Sequence, residues 1–435
     1  MNEFRFKHTN TRAFKEKLTE LSKRCGFFIL LDSNTQARPQ SSPYNKGLYL
    51  ATYDWIAALH PKRILSLQKP NGAFELLEKF HQGTWLFGHL SYSLKADSEN
   101  VVDEKPNTQG FSAMEFVEPG VVISAKGNEI TLRYEDEFIA DIEQFIQQIE
   151  NLSPQKESKP NNLTIKQNST KEQYVTKVQS LQKHIQLGNI YEVNFCMDFQ
   201  AEDANLNPQQ TWEKLNAASP MPMAAFYKSS THYLLCASPE RFLKKEGNTI
   251  YSQPIKGTAP RGITVAEDIA NIEHLLADEK ELAENVMIVD LVRNDLGRTA
   301  EIGTVKVNEL FGVYPLPRVH QMISTVSSQL DKQYSFVDAI KKAFPMGSMT
   351  GAPKISAMQL IDEHEENTRS LFSGAIGYIT PNGDFDFNVV IRSIFYNEDS
   401  KALSYWAGSA ITANADAEKE YEECMLKLEA IRSVL

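Results

Sequence analysis

Short strand-like runs set between amphipathic helical stretches predict an α+β protein. Three observations carry that reading. Apolar runs recur at 47–51, 86–90, 121–124, 190–195, 233–237, 242–244, 374–379, 389–396 and 404–407, each too short to be a helix of ordinary length. Helical periodicity occupies 169–188, 266–292 and the stretch from 417 to the C-terminus. The 435 residues are 42% hydrophobic and 23% charged, which is enough apolar material for a sizeable core and enough chain for two domains or one large composite body.

The N-terminus, MNEFRFKHTN, lacks the apolar segment of a signal peptide. The run 27–31 is far shorter than a membrane span and reads as a buried strand. Cys25, Cys196, Cys236 and Cys424 lie far apart with no C-x-x-C pair, so neither a zinc site nor a disulfide framework is expected. A cytoplasmic protein with no membrane partner follows. The formal net charge of −11 argues against nucleic acid, because phosphate binding needs clustered Lys and Arg. A local basic pocket or a bound cation still admits a small anion. Residues 152–168 are polar and contain two prolines, and they read as an exposed linker between an N-terminal region, 1–151, and a second region, 169–435.

Ser169 and Glu172 have capping-box spacing, and the helix they open places Tyr174, Val178, Leu181 and Ile185 on one side, with Gly188 suited to its end. In the stretch 266–292, Leu282, Val286 and Val289 form a core-facing stripe, while Glu281 and Glu284 share another face. In the last helix Tyr421, Leu428 and Leu435 mark the buried side, and Glu420, Glu423 and Lys427 line another.

Four constellations could carry chemistry. Two Glu-x-x-Glu faces brought together would offer hard oxygen donors of the kind Mg²⁺ prefers, although this spacing is common on solvated helices. Lys256, in SQPIKGTAPRG, ends a short strand; a lysine is a nucleophile only when neutral, which burial or a nearby cation favours, and without such a setting it is a surface lysine beside a turn. The loop FPMGSMTGAPK, 344–354, is small and polar with Pro353 placed for a helix start, where free amides can hold an anion. Lys354 stands three residues after Gly351, so the loop is not a nucleotide-binding P-loop. Finally, Ala407, Gly408, Ser409 and Ala410 read as a turn of small residues after a strand, open to close approach by a ligand or to tight packing. Arg392 and His320 lie in or after strand-like runs, where a salt bridge or a structural role is the ordinary expectation for each.

The order PIKGT, AENVMIVDLVRNDLG, GSMTGAPK, GAIGY, VVIRS and EYEEC resembles the chorismate-utilising family, whose members include anthranilate, isochorismate and salicylate synthases and enzymes that aminate chorismate at C4. The likeness runs from about Tyr174 to the end; the N-terminal region resembles the family only loosely. It implies a large α/β sandwich of two packed antiparallel sheets with helices outside and the N-terminal region in the same body. It also implies a Mg²⁺ ion held by Glu284 and Glu423, with Glu281 and Glu420 in support, gripping the ring carboxylate of chorismate. Gly257, Thr258, Thr350, Gly351, Arg392, Gly408, Ser409, Ala410 and Lys427 match substrate-contacting positions, with Arg392 suited to the enolpyruvyl carboxylate. His320 matches a histidine near the departing 4-hydroxyl, and Glu240, in SPERF, matches the general acid, although it could instead pair with Arg241.

PIKGT is similar to the C4-aminating members, whereas anthranilate-forming members read PIAGT. The resemblance therefore implies that Lys256 adds at C2, expels the 4-hydroxyl, and is itself expelled by ammonia at C4, giving 4-amino-4-deoxychorismate, a precursor of p-aminobenzoate and folate. Glu192, in YEVNF, stands where ammonia users usually carry Gln and isochorismate-type members carry Lys; a carboxylate there could orient ammonium or accept a proton. Ala259, Ala410 and Phe372 also depart from the pattern. No cysteine context resembles an amidotransferase nucleophile, so a separate glutamine amidotransferase subunit is the implied ammonia source. The segment 28–33 loosely matches a tryptophan-binding strand of some relatives. Two alternatives remain: an anthranilate synthase component I, and a chorismate-binding regulatory subunit without turnover.

Overall fold

A computed structural model describes residues 1–34, 43–48, 51–102, 105–153 and 163–435. Among them, twenty strands pair edge to edge in one continuous system, and every pairing is antiparallel. The period-two alternation of side chains divides it into layers. Along Phe27–Asp32, Met223–Ser229 and His232–Ser238, the residues Phe27, Ile29, Ala225, Tyr227, Leu234 and Cys236 enter one core, shared with Phe87, Phe242, Ile250, Val326 and Phe387 from other strands. The intervening Phe28, Leu30, Phe226 and Leu235 enter a second core filled from outside by helical Phe14, Tyr174, Val178, Leu181 and Trp212. Sheet packed on sheet, with helices on the outer faces, is the α+β sandwich the sequence predicts.

Strands from either side of the 152–168 segment share ladders: Phe27–Asp32 pairs with Met223–Ser229, and Leu86–Leu90 with Ala375–Ile379. Residues 154–162 of that segment lie outside the described residues, as do two of the strand expected at 47–51; its other residues are not in a strand.

Several expected elements shift, each for a local reason. The capping box is built by Thr170 and Gln173, one residue beyond the expected pair, and the helix runs Lys171–Gln186 with Gly188 in the left-handed region just past it. The long helix expected at 266–292 is two, Val265–Ala277 and Glu279–Gly297, because Asp278 is extended and its carboxylate caps the amides of Lys280 and Glu281. The buried face of the second helix is Asn285, Ile288, Val289, Val292 and Leu296, while Val286 is 48% exposed. The polar Asn285 hid this face from an apolar-periodicity reading; it donates to the Lys256 carbonyl and accepts from the Ser324 hydroxyl. The C-terminal stretch is Ala417–Lys427 followed by a short turn, Glu429–Arg432, with Leu428 buried at the junction. Residues 408–410 are not a turn: the strand Leu403–Ile411 runs through them, paired with Glu192–Ala201. Gly408 is required there, since a Cβ would lie 2.3 Å from the Cys196 sulfur.

The loop 346–353 crosses the start of Glu192–Ala201. Gly351, at φ +153°, pairs with Val193, and a Cβ on it would stand 2.2 Å from the Glu192 carbonyl oxygen. The helix that follows is Lys354–His364, with Pro353 at its cap. Lys354 is buried and donates to both carboxylate oxygens of Asp295, at 2.8 and 2.7 Å, and to the Ala343 carbonyl. It therefore ties the loop to the Glu279–Gly297 helix. Removing one partner leaves the other charge buried and unpaired. Lys354→Met is expected to cost about 3 kcal/mol in urea denaturation, and the Lys354→Met/Asp295→Leu double variant to recover a large part of it.

Candidate active site

A bulge places the central lysine. Strand Ile255–Pro260 slips register against Val319–Gln329 between Ile255 and Thr258, and Gly257 adopts φ +100°. Such a bulge turns a side chain out of the regular alternation, here Lys256. Its Nζ donates to Glu192 Oε1 at 2.8 Å and stands 3.7 Å from Glu284 Oε2; the lysine side chain is only 12% exposed.

Carboxylates from two helices join it. Glu284, on Glu279–Gly297, is buried, and its Oε1 accepts no hydrogen bond; the Lys280 ammonium lies 3.7 Å from that oxygen and 3.0 Å from Glu420 Oε1 on Ala417–Lys427. Glu281 lies next to Gly257, whose Cβ would come within 3.4 Å of it. Lys427 pairs with Glu423 at 2.6 Å and donates to the Gly408 carbonyl at 2.9 Å. Among the described residues, however, no three acidic, His or Cys side chains converge as a ready ligand set. The predicted quartet of glutamates is present on facing helices, with ammonium groups interleaved among them.

The charge balance follows from burial. Burial, then the charges of Glu284 and Glu423, push the Glu281 carboxyl up to about 7. Burial also raises Glu284 above the usual carboxylate range, with Lys256 opposing. Burial works to raise Glu423 as well, but its Lys427 partner wins and holds it low. For Lys256 the expected lowering is reversed. Burial favours the neutral amine, but Glu192 and Glu284 outweigh it and hold the proton well above the ordinary lysine range.

Glu240 lies between His232–Ser238 and Arg241–Glu246. It does not pair with Arg241, which is engaged by Asp386, at 2.8 and 3.1 Å, and by Gln253. Burial pushes the Glu240 carboxyl up to about 7, with the Ser348 hydroxyl beside it and the Lys256 charge opposing. Ser348 Oγ is itself buried without a fully formed hydrogen bond.

The other predicted positions separate into those facing the cleft and those turned away. Arg392 is at φ +53°, outside the regular strand that was expected there; the strand begins at Ser393. It feels Glu423 across the cleft, and burial lowers its hold on its proton. Gly408 and Ala410 lie on one face of their strand, whereas Ser409 on the other face bonds Tyr174 at 2.9 Å, leaving only its backbone for the cleft. The Thr350 hydroxyl turns back onto the carbonyls of Met346 and Gly347. Thr258 is exposed. The His320 ring is buried and bound through Nε2 to Asp268 at 2.8 Å, with Nδ1 buried and unpartnered. Asp268 also accepts from Arg261 and the Gly262 amide, and Arg261 above all holds its carboxyl well below the usual range.

Three residues with clear roles here went unrecognised in the sequence. Lys280 had a signal, its i,i+4 spacing to Glu284. Asp268 and Asn285 had none, because their partners are remote in the chain. A groove beside the cleft, lined by Tyr191, Lys280, Glu284, Met287, Pro353 and Thr412, opens this region to solvent.

With this geometry in hand, the chain can be set against known proteins. The family described as chorismate binding enzyme matches residues 28–433, so the chain belongs to that family. It is 44% identical over 256 residues to an aminodeoxychorismate synthase of Streptomyces griseus, covering 58% of this chain and 35% of that one. It is 32% identical over 451 aligned positions to an anthranilate synthase component I-like protein of Synechocystis, covering 98% of this chain and 90% of that one. The fold matches anthranilate synthase component I from Streptococcus pneumoniae with a TM-score of 0.76 at 24% identity, over 90% of this chain and 93% of that chain. The chain spans 35% to 58% of the length of the first aminodeoxychorismate synthases it matches. Among the described residues no helix is long and apolar enough to cross a membrane.

The raised Glu240 carboxyl gives a stability signature. Its folded state holds a proton up to about pH 7 while the unfolded chain releases it near 4.5, so the wild type loses stability as pH rises through that window. Glu240→Gln carries no such penalty. It is expected to gain on the wild type by about 3 kcal/mol between pH 4.5 and 8, read by urea denaturation in metal-free buffer.

Proposed function

We propose that this chain aminates chorismate at C4, giving 4-amino-4-deoxychorismate, with Lys256 as a transient covalent nucleophile. The observation that carries the reading is Lys256 itself, nearly buried, with the Glu192 carboxylate at 2.8 Å and close enough to Glu240 for the lysine charge to oppose the rise of that carboxyl. The name of the Streptomyces relative points the same way.

In this mechanism Arg392, with no side-chain ion pair among the described contacts, grips the enolpyruvyl carboxylate through its two-pronged donor face. Lys256, once its proton has passed to Glu192, attacks C2. The electron pair moves through the ring diene, the C4–O bond breaks, and Glu240, protonated near neutral pH, donates its proton to the departing hydroxyl. His320 lies on the adjoining strand to position that hydroxyl. Ammonia then forms the C4–N bond, the electrons return, and the C2–N bond breaks to free the neutral Lys256 amine. Glu192 returns to Lys256 the proton it first took and, again a carboxylate, accepts the excess proton of the new C4 amine.

The all-carboxylate donor set and the orphaned, buried Glu284 Oε1 suit Mg²⁺, with Glu284 and Glu423 as direct holders and Glu281 and Glu420 in support. When bound, Mg²⁺ supplies the positive charge that holds the ring carboxylate and offsets the glutamates around Lys256. Ammonia would come from a separate glutamine amidotransferase subunit. The loose likeness at 28–33 offers a place for tryptophan beside Leu31, Asp32, Ser33, Tyr53, Met223 and Asn388, but the recess there has a volume of only about 40 Å³ and would have to widen to admit an indole. The second reading is anthranilate formation, favoured by the full-length likeness to the Synechocystis protein.

Incubation with chorismate, Mg²⁺ and ammonium chloride, followed by chromatographic product identification, separates these readings. The 4-amino product is expected; anthranilate as the main product would overturn the proposal, and binding without turnover would favour a regulatory subunit. Lys256→Ala is expected to lower formation of the 4-amino product by at least about 100-fold, and wild-type protein quenched during turnover to show a substrate adduct on Lys256 by peptide mass spectrometry. Glu192→Gln is expected to lower ammonia-dependent kcat by about tenfold or more, and an unchanged rate would remove Glu192 from proton transfer.

A further inference from the structure

Among the described residues the four glutamates expected to hold a cation are not gathered as ligands, and a lysine stands between two of them. Lys280 occupies the first turn of Glu279–Gly297 and reaches across to the Ala417–Lys427 helix. Its Nζ lies 3.0 Å from Glu420 Oε1 and 3.7 Å from Glu284 Oε1. Glu420 is 3% exposed and Glu284 8%, so both carboxylates are anchored in the protein. The Lys280 side chain, by contrast, is 49% exposed and borders the open groove. Glu284 Oε1 has no hydrogen-bond donor, and the ammonium is too far away to supply one.

We propose that Lys280 is an exchangeable internal cation: its ammonium occupies the seam between the two Glu-x-x-Glu helices and must swing out toward the groove for a divalent ion to settle there. The inference rests on the reading that this seam takes Mg²⁺. Lysine suits the role. Its charge is compact, its stem is flexible, and water can receive its head at the open side. An ammonium matches the charge need of buried carboxylates but forms three directional hydrogen bonds at most, whereas a divalent ion brings twice the charge and several oxygen ligands. Carboxylates this close would repel one another without either cation. Lys280 thereby protects the metal-free protein and, for the same reason, weakens its hold on the metal.

The test is isothermal titration of full-length, metal-stripped protein with MgCl₂, with MnCl₂ as a second probe, alongside thermal midpoints with and without metal. Lys280→Met should bind Mg²⁺ about tenfold more tightly than wild type, because one competing charge is gone. Its metal-free midpoint should fall, and the rise on adding saturating Mg²⁺ should exceed that of the wild type. Lys280→Arg keeps the charge on a side chain that grips carboxylates more firmly, and should bind Mg²⁺ more weakly than wild type. Should Lys280→Met fold poorly, the Arg variant decides alone: unchanged or tighter binding overturns the exchange. Equal or weaker Mg²⁺ affinity in Lys280→Met overturns it as well. If wild type and variants all fail to bind either ion, the metal reading fails and the exchange with it. Binding in wild type with no dependence on residue 280 refutes the exchange alone.

Discussion

Crowding of negative charge in one cleft constrains everything around it. Glu192, Glu281, Glu284, Glu420 and Glu423 come from a strand edge and two helices, and burial raises the cost of each additional charge. The protein meets that cost with lysines from three elements: Lys256 from a bulged strand, Lys280 from a helix start, and Lys427 from a helix end. Each reaches a carboxylate of a different element or turn, so the charge pattern also holds the two helices and the sheet in register. Chemistry that needs a neutral Lys256 therefore depends on relieving the same field that stabilises the resting protein. In the proposed mechanism, that field is what would couple chemistry at Lys256 to cation binding.

The scaffold beneath is rigid where the chemistry needs precision. Arg369, fully buried, donates to the carbonyls of Met349 and Asn194 and to Glu365, whose carboxylate also accepts from the Cys196 amide. It thereby joins the 346–353 loop to the strand that carries Glu192. Lys354 and Asp295 join the same loop to the helix that carries Glu284. Two buried charge pairs thus set the distance between the parts of one site. Their partners are satisfied on all sides, the condition under which such pairs specify geometry rather than merely cost desolvation.

How much of this was legible in the sequence depended on the range of the interaction. Short-range features read well: the Leu86–Leu90 strand, the helix opened near Thr170, and the Glu-x-x-Glu spacing on two helices all follow from periodicity and capping. Features set by distant partners did not. Residues 408–410 were read as a turn because they are small. Gly408 at least is small because Cys196, roughly two hundred residues earlier in the chain, lies directly across the ladder. The buried face of Glu279–Gly297 was misjudged because it includes Asn285, whose polarity is satisfied only by Lys256 and Ser324 from separate strands.

By itself the sequence determined the α+β class, through local periodicities, and the inventory of reactive groups, through ordered motifs whose likeness to the chorismate-utilising family names Lys256, Glu240 and the paired glutamates. Tertiary structure decided their states. Folding placed Lys256 among carboxylates that hold its proton, directed Arg241 away from Glu240 to Asp386, pushed the Glu240 carboxyl up to about 7 by burial, and set Lys280 between the glutamates. The physical reason is that a residue's type is local, whereas its charge state is a sum over neighbours and solvent that exists only once distant segments meet.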